Sequence, residues 1–126
     1  MNDFFKSVIV STLNEAENIE SLLKYLKQLD KRLELIVVDA NSKDRTVALA
    51  QKLSQVVQSP PGRGIQMNHG ARLAKGDIIW FLHADCRPHP DSVEAMEQAL
   101  SDPNIDTVKS MNKKEAISLL LLLDRN

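Results

Sequence analysis

The sequence contains one cysteine, Cys86, in 126 residues. An internal disulfide framework and a cysteine-rich zinc site are therefore both excluded. It also lacks charge of one sign, because 16 Lys+Arg against 17 Asp+Glu leave a net charge of −1. Without a basic field, general affinity for nucleic acid is not expected. Long hydrophobic runs are missing as well. The apolar run 8–10 is too short for a signal peptide, and residues 117–123 fall far below the ~20 of a membrane span. With no targeting or transmembrane segment, the expected location is cytoplasmic. What is present is ordinary globular material, 43% hydrophobic and 26% charged, enough for one domain around one core.

The chain alternates short apolar runs with helical periods. Residues 7–11 (S-V-I-V-S) read as a strand. Asn14, with Glu17 at capping-box spacing, predicts a helix start, followed by Ile19, Leu22, Leu23, Leu26 and Leu29 as one apolar stripe. Residues 33–39 (L-E-L-I-V-V-D) predict a second strand, 45–53 a second helix and 56–58 a short third strand. After the turn segment S-P-P-G, residues 64–75 predict a third helix with Met67, Gly70, Ala71 and Ala74 inward. Residues 77–83 (D-I-I-W-F-L-H) predict a fourth strand. Pro90 and Asp91 then open a fourth helix, with Val93, Met96 and Leu100 inward.

Strands 1, 2 and 4 are nearly continuous apolar runs, as strands covered on both faces are. The fold class read from this is α/β: a doubly wound, mainly parallel sheet with flanking helices. In such sheets ligands bind beyond the carboxyl ends of the strands, where the strand order reverses. If strands 1 and 4 flank the reversal, Thr12, Asp39, His83 and Asp85 converge on one crevice. A carboxylate ending strand 2 suits a ribose hydroxyl or a base N–H; the alternative is that Asp39 only caps its own turn. His83 and Asp85 offer a nitrogen and an oxygen to one point, which suits a divalent cation that also holds phosphate oxygens. The alternative there is a turn-forming aspartate near Pro88. Residues 60–64 (P-P-G-R-G) precede a helix N-terminus and form a weak anion seat with Arg63. His69 and His89 read as surface or capping residues, and Cys86 as a small half-buried one.

Two nucleotide-binding classes are disfavoured by missing glycine. The loop after strand 1, S-T-L-N-E, cannot be a dinucleotide fingerprint, and no G-x-x-x-x-G-K-[ST] occurs.

Four segments in order, S-V-I-V-S-T-L-N-E-A-E-N-I, L-I-V-V-D-A-N-S-K-D-R-T, G-R-G-I-Q-M-N-H-G-A and A-K-G-D-I-I-W-F-L-H-A-D, resemble family 2 glycosyltransferases of the GT-A fold over residues 6–103. The G-R-G-x-Q-M-N and F-L-H-A-D pair is most similar to the rSAM/selenodomain-associated transferase 2 subgroup, also labelled as arsenosugar-biosynthesis glycosyltransferases. The resemblance implies the N-terminal, Rossmann-like half of a GT-A fold binding a UDP-, GDP- or dTDP-sugar. By the same resemblance Thr12 and Glu15 line the nucleotide pocket, Asp39 holds base or ribose, and Arg63, Gln66 and Asn68 lie near the donor. His83-Ala84-Asp85 stands for the family's D-x-D, with Asp85 toward Mg²⁺ or Mn²⁺ against the diphosphate. Such enzymes usually invert the anomeric carbon, using a carboxylate base on the acceptor. Ser11 replaces a usual proline, Ala40-Asn41 a glycine-containing pair and Arg45 a common glycine.

The pattern stops near Pro103, before the region that usually carries the acceptor site and the base, so no catalytic residue is assigned. The expected organisation is an incomplete nucleotide-sugar-binding domain over 1–105 and an atypical helical tail over 106–126, the chain being truncated. Asn112 and Glu115 form another capping-box spacing ahead of the leucines. Truncation would bare the edge of strand 4, which predicts a homo-oligomer or aggregation through that edge or the leucine-rich tail, or the tail folding over the edge. Besides a weak or inactive glycosyltransferase, two other readings stand: a non-catalytic remnant binding a nucleotide or a partner, and a nucleotidyltransferase of similar fold.

Overall fold

The computed structural model describes residues 5–100, 108–110 and 119–122. Its elements alternate: β1 (Lys6–Thr12), α1 (Ile19–Leu29), β2 (Glu34–Asp39), α2 (Thr46–Gln51), β3 (Gln55–Gln58), α3 (Arg63–Leu73), β4 (Ile78–His83) and α4 (Ser92–Leu100), then β5 (Val108–Ser110) and β6 (Leu119–Leu122). The sheet order is β3-β2-β1-β4-β6-β5. Strands β1 to β4 are mutually parallel, while β6 runs antiparallel to β4 and β5. The order grows from β1 toward β3 on one side and jumps to β4 on the other. That is the reversal expected of a doubly wound sheet.

Alternation along the strands explains their unbroken apolar runs. Val8 and Val10 of β1, Leu35 and Val37 of β2 and Trp80 of β4 join Leu22, Leu23 and Leu26 of α1 and Met96 of α4 in one buried cluster. Ile9, Ile36, Val38, Ile79 and Phe81 point to the other face, where Ala74, Met67 and Ala71 beside or on α3 pack against them. Successive residues thus serve two cores, so the middle of each strand is apolar on both faces, and the buried polar residues Lys6, Ser7, Thr12 and Asp39 fall toward the strand ends. Gly70 lets α3 sit close: a Cβ there would lie 2.3 Å from Ile9 Cγ2 and 3.1 Å from Val38 Cγ2.

Two expectations are corrected. Asn14 does not open α1. It adopts a left-handed φ of 56°, and its side-chain oxygen accepts the Lys43 N–H at 2.7 Å. Asparagine tolerates that conformation, and with Asn14 committed to the neighbouring loop the helix begins at Ile19, whose N–H donates to Glu15 O at 2.9 Å.

The tail also differs. Its described residues are strands, not helix: Leu119–Leu122 pairs with β4 in the register Phe81↔Leu119 to Ile78↔Leu122. The tail thus covers the outer edge of β4, one of the outcomes expected, but as a strand. Without it that edge would carry unpaired backbone groups, and satisfying them outweighs the helical preference of leucine. The expected boundary at residue 105 and the spacing of Asn112 with Glu115 lie outside the described residues. Among the described residues no helix is long and apolar enough to cross a membrane.

Candidate functional site

The β1 and β2 loops are stitched together at the carboxyl end of the sheet. Asn14 N–H donates to Ser42 Oγ at 2.7 Å, Glu15 N–H to Thr46 Oγ1 at 2.8 Å, and Ala16 N–H to Asp44 Oδ2 at 3.1 Å. Asp44 also receives the Thr46 hydroxyl and, at 3.0 Å, the Thr46 N–H. The Thr46 hydroxyl above all holds the Asp44 carboxyl below its ordinary pKa, against a smaller opposing effect of burial, with backbone N–H groups adding to it.

Beside this stitching a cleft of about 160 Å³ opens, lined by Ser11, Thr12, Leu13, Glu15, Arg63, Gln66 and His83. Ser11 and His83 are register partners across β1 and β4, so the cleft lies where the strand order reverses. Gly62 turns the chain into α3 at φ 133°, a conformation that suits glycine, and this sets exposed Arg63 at the cleft's edge. Gln66 is buried, and its Nε2 donates to Thr12 O at 3.0 Å and to Val38 O at 2.9 Å. One amide therefore ties α3 to the ends of β1 and β2.

Asp39 lies between the strand ends rather than in the cleft lining. It is fully buried and accepts four hydrogen bonds: the Thr12 hydroxyl at 2.7 Å, the Ser42 hydroxyl at 2.5 Å, the Ser42 N–H at 2.8 Å and Gln58 Nε2 at 3.0 Å. Burial pushes its pKa up, but the bonds from Ser42, Thr12 and Gln58 together outweigh it and hold the carboxyl below its ordinary value. Gln58 Oε1 in turn accepts the Asn41 N–H at 2.9 Å, which holds Asn41 in its left-handed φ of 61°. Asparagine thus meets the turn that glycine would otherwise serve.

His83 Nδ1 lies 2.8 Å from Asp85 Oδ1, with side chains 31% and 62% exposed. Of the residues read from the sequence, Thr12, Glu15, Arg63, Gln66 and His83 are brought together in the cleft. Asp85 stands beside it, and Asp39 braces it from within. Asn68 is not brought in: it is exposed, and two residues place it about 200° round α3 from Gln66. Ser42, Asp44 and Gln58 join the site through the fold. The D-x-T spacing leading into α2 marks Asp44 as a turn aspartate that accepts the N–H two residues on, while Gln58 has no local sign and depends on the β2–β3 register.

Among the described residues no group of three or more His, Cys, Asp and Glu side chains could enclose a metal ion. The donor set nevertheless fits a hard divalent cation held chiefly by a ligand's phosphates. Asp85 is an exposed carboxylate with one oxygen on His83, and Mg²⁺ is usually bound by one or two carboxylates plus phosphate oxygens and waters. Cys86 is buried and His89 Nδ1 accepts the Asp91 N–H at 3.0 Å, a packing and a capping role.

Comparison with known proteins places the chain by sequence and by fold. Glycosyltransferase AglE of Haloferax volcanii is 30% identical over 115 residues, which make up 82% of this chain and 38% of AglE. Dolichol-phosphate mannosyltransferase of Pyrococcus furiosus is 31% identical over 105 residues, 76% of this chain and 30% of that protein. The chain spans well under half the length of these curated relatives. Among solved structures, the mannosyltransferase PcManGT of Pyrobaculum calidifontis, in complex with GDP-Man and Mn²⁺, superposes with a TM-score of 0.79 over 94% of this chain and 44% of its own, at 24% identity. Glucosyl-3-phosphoglycerate synthase of Mycobacterium tuberculosis, in complex with Mn²⁺, UDP and glucosyl-3-phosphoglycerate, superposes with a TM-score of 0.70 over 83% of this chain and 42% of its own, at 30% identity. Residues 7–114 match Glycosyl transferase family 2, and the chain belongs to that family.

Proposed function

We propose that this chain is the donor-binding part of a nucleotide-sugar-dependent glycosyltransferase and that its cleft takes the nucleoside diphosphate. The observation that carries the reading is the convergence of Thr12, Glu15, Arg63, Gln66 and His83 on one cleft at the strand-order reversal. Family membership and a 30% identical neighbour solved with UDP and Mn²⁺ support it. The G-R-G-I-Q-M-N and F-L-H-A-D motifs further align the chain with the rSAM/selenodomain-associated transferase 2 subgroup. A cytoplasmic place of action is part of the same reading.

In this reading Thr12 and Glu15 line the nucleotide pocket, and Asp39 holds the Thr12 and Ser42 ends in place. A direct bond from Asp39 to a base N–H requires one present donor to yield, and Gln58, at 3.0 Å the longest of the four, is the one placed to do so. Arg63, at the start of α3, supplies a guanidinium and a helix N-terminus toward phosphate. Asn68, exposed on α3, is left for the sugar or acceptor side rather than this cleft. Asp85 would hold Mg²⁺ or Mn²⁺, which when bound neutralises charge on the departing diphosphate. His83 lies between that carboxylate and the cleft. The base acting on the acceptor is not assigned to any of these residues.

Thermal unfolding with UDP, GDP and dTDP, each with and without Mn²⁺, tests the proposal. A ligand at a hundred times its dissociation constant adds about 2.7 kcal/mol, which moves the midpoint by several degrees. A metal-dependent rise with one nucleotide, lost in Asp85→Ala, is the expected result. No rise from a folded protein with any of the three would overturn it. Binding without sugar transfer would point instead to a nucleotide-binding module.

A further inference from the structure

The turn that carries Asp85 is fixed through its backbone. Cys86 N–H donates to His83 O at 3.0 Å, closing the turn. Ala84 and Cys86, on either side of Asp85, are buried at 0% and 8% exposure. The Arg87 guanidinium then donates to Ala84 O at 3.1 Å, to Cys86 O at 2.7 Å and, from α1's entry, to Asn18 O at 3.3 Å. With the main chain held in this way, the remaining freedom at Asp85 is its own rotamer. At 62% exposure packing does not choose that rotamer. The contact that does is His83 Nδ1 to Asp85 Oδ1 at 2.8 Å.

The chemistry of that contact is directional. A carboxylate oxygen accepts, so the histidine nitrogen facing it carries the hydrogen. His83 is well placed to impose an orientation, because it ends β4 in register with Ser11 and its ring stands in the wall of the cleft. Asp85, two residues further on, lies beyond the end of the strand.

We propose that His83 is a positioning residue for Asp85: its Nδ1–H pins Oδ1 and thereby presents Oδ2 to a divalent cation at the cleft mouth. The inference rests on the reading of Asp85 as the cation's carboxylate. It assigns His83 a role through Asp85 rather than as a ligand of its own. A ligand role through Nε2 would use the far side of the ring, away from the carboxylate, so the two roles are separable by substitution. In His83→Asn the amide nitrogen falls where Nδ1 was, counting bonds from Cα. In His83→Gln it lies one bond further out, nearer the place of Nε2.

The test is Mn²⁺ binding in the presence of UDP and, separately, of GDP, read from the electron paramagnetic resonance of free Mn²⁺ on the full chain. Wild type, His83→Ala, His83→Asn, His83→Gln and Asp85→Ala are compared, with the ligand-free thermal midpoint of each as a folding control. Losing a bond that orients a metal ligand weakens affinity by about tenfold or more. The expected pattern is that weakening in His83→Ala and His83→Gln, with recovery in His83→Asn and an unchanged midpoint. Wild-type affinity in His83→Ala overturns the inference, and so does recovery by glutamine but not asparagine, which would make His83 a direct ligand. If Asp85→Ala binds Mn²⁺ as wild type does, or wild type binds none, the reading of Asp85 itself falls. If Asp85→Ala loses binding while His83→Ala keeps it, only the positioning role falls.

Discussion

Thr12 and Asp39 are register partners on β1 and β2, and the Thr12 hydroxyl donates to the Asp39 carboxylate at 2.7 Å. The bond makes the floor of the cleft depend on the charge of one buried acid. The folded-state pKa of Asp39 lies below the 3.8 of the unfolded chain. As pH falls, the unfolded state therefore takes up the proton first. The stability that Asp39 contributes is complete above the unfolded value and is lost as pH drops through the folded one. Asp39→Asn should lower stability at neutral pH by about 2 kcal/mol, the scale of hydrogen bonds to a charged group. It should also flatten the fall in thermal midpoint on acidification below pH 4. A variant as acid-sensitive as wild type would mean that other carboxylates govern that limb.

Gln66 gives a second prediction. Its amide donates to Thr12 O and Val38 O at once, so Gln66→Leu removes one donor from each, while Thr12 O keeps the Ala40 N–H at 3.0 Å. A hydrogen bond contributes about 0.5–1.5 kcal/mol net, and urea denaturation should show a loss of roughly 1–3 kcal/mol. Gln66→Glu should be no better at neutral pH, because a carboxylate can only accept. Retained stability in Gln66→Glu would show that the amide's donor character is not what matters.

Part of this was readable in the chain. The apolar runs of β1, β2 and β4 predict strands covered on both faces, and the two clusters packed on opposite sides of the sheet are that arrangement. Thr12, Asp39 and His83 were placed by the rule for strand ends, which needs only strand order. Gln66 shows where such reasoning reaches its limit: the resemblance sets it near the donor, but nothing local in the sequence points to the two carbonyls beneath it. Asn14 and Leu119–Leu122 failed for a related reason. A cap spacing and a leucine run each favour helix locally, whereas the outcome was decided by a neighbouring loop and by a bare strand edge.

Gly70 offers a test of the helix–sheet distance. Alanine gains about 1 kcal/mol over glycine in a helix interior, but its Cβ would lie 2.3 Å from Ile9 Cγ2, and Ile9 is fully buried. Overpacking of this kind costs typically 1–3 kcal/mol, so Gly70→Ala should come out net destabilised by about 1 kcal/mol. Ile9→Ala removes the obstructing branch at a cavity cost of its own. The double variant should then lose less than the sum of the two singles, a coupling that a double-mutant cycle in urea measures directly. Strict additivity would mean that α3 shifts away instead.

Lys6 and Glu97 should respond asymmetrically. Lys6 is 3% exposed, and its ammonium lies 2.6 Å from Glu97 Oε2 and 3.7 Å from Asp30 Oδ2. Removing one partner of a buried pair strands the other charge, whereas replacing the buried member by an apolar residue of similar volume is often neutral. Glu97 is 28% exposed, which moderates the effect, and Asp30 still faces the ammonium. Glu97→Ala should cost about 2 kcal/mol and Lys6→Met under about 1 kcal/mol, both by chemical denaturation. The reverse ranking would show that the lysine's attraction exceeds its desolvation cost.

The outer edge of β4 carries the last prediction. Trp80 and Leu120 are register partners, and Leu120 pairs on its other side with Lys109. Proline at 120 cannot donate to either ladder, so Leu120→Pro should undo this part of the sheet. The residues that lose cover, Ile78–Phe81, are an apolar strand edge of the kind that recruits a second chain. Light scattering across a concentration series should then show growing mass for the variant relative to wild type, with faster amide exchange at Ile79, Trp80 and Phe81. If the variant keeps wild-type mass at every concentration while those amides exchange quickly, the bare edge does not drive association. The expectation that a bared β4 edge forms oligomers would then be wrong.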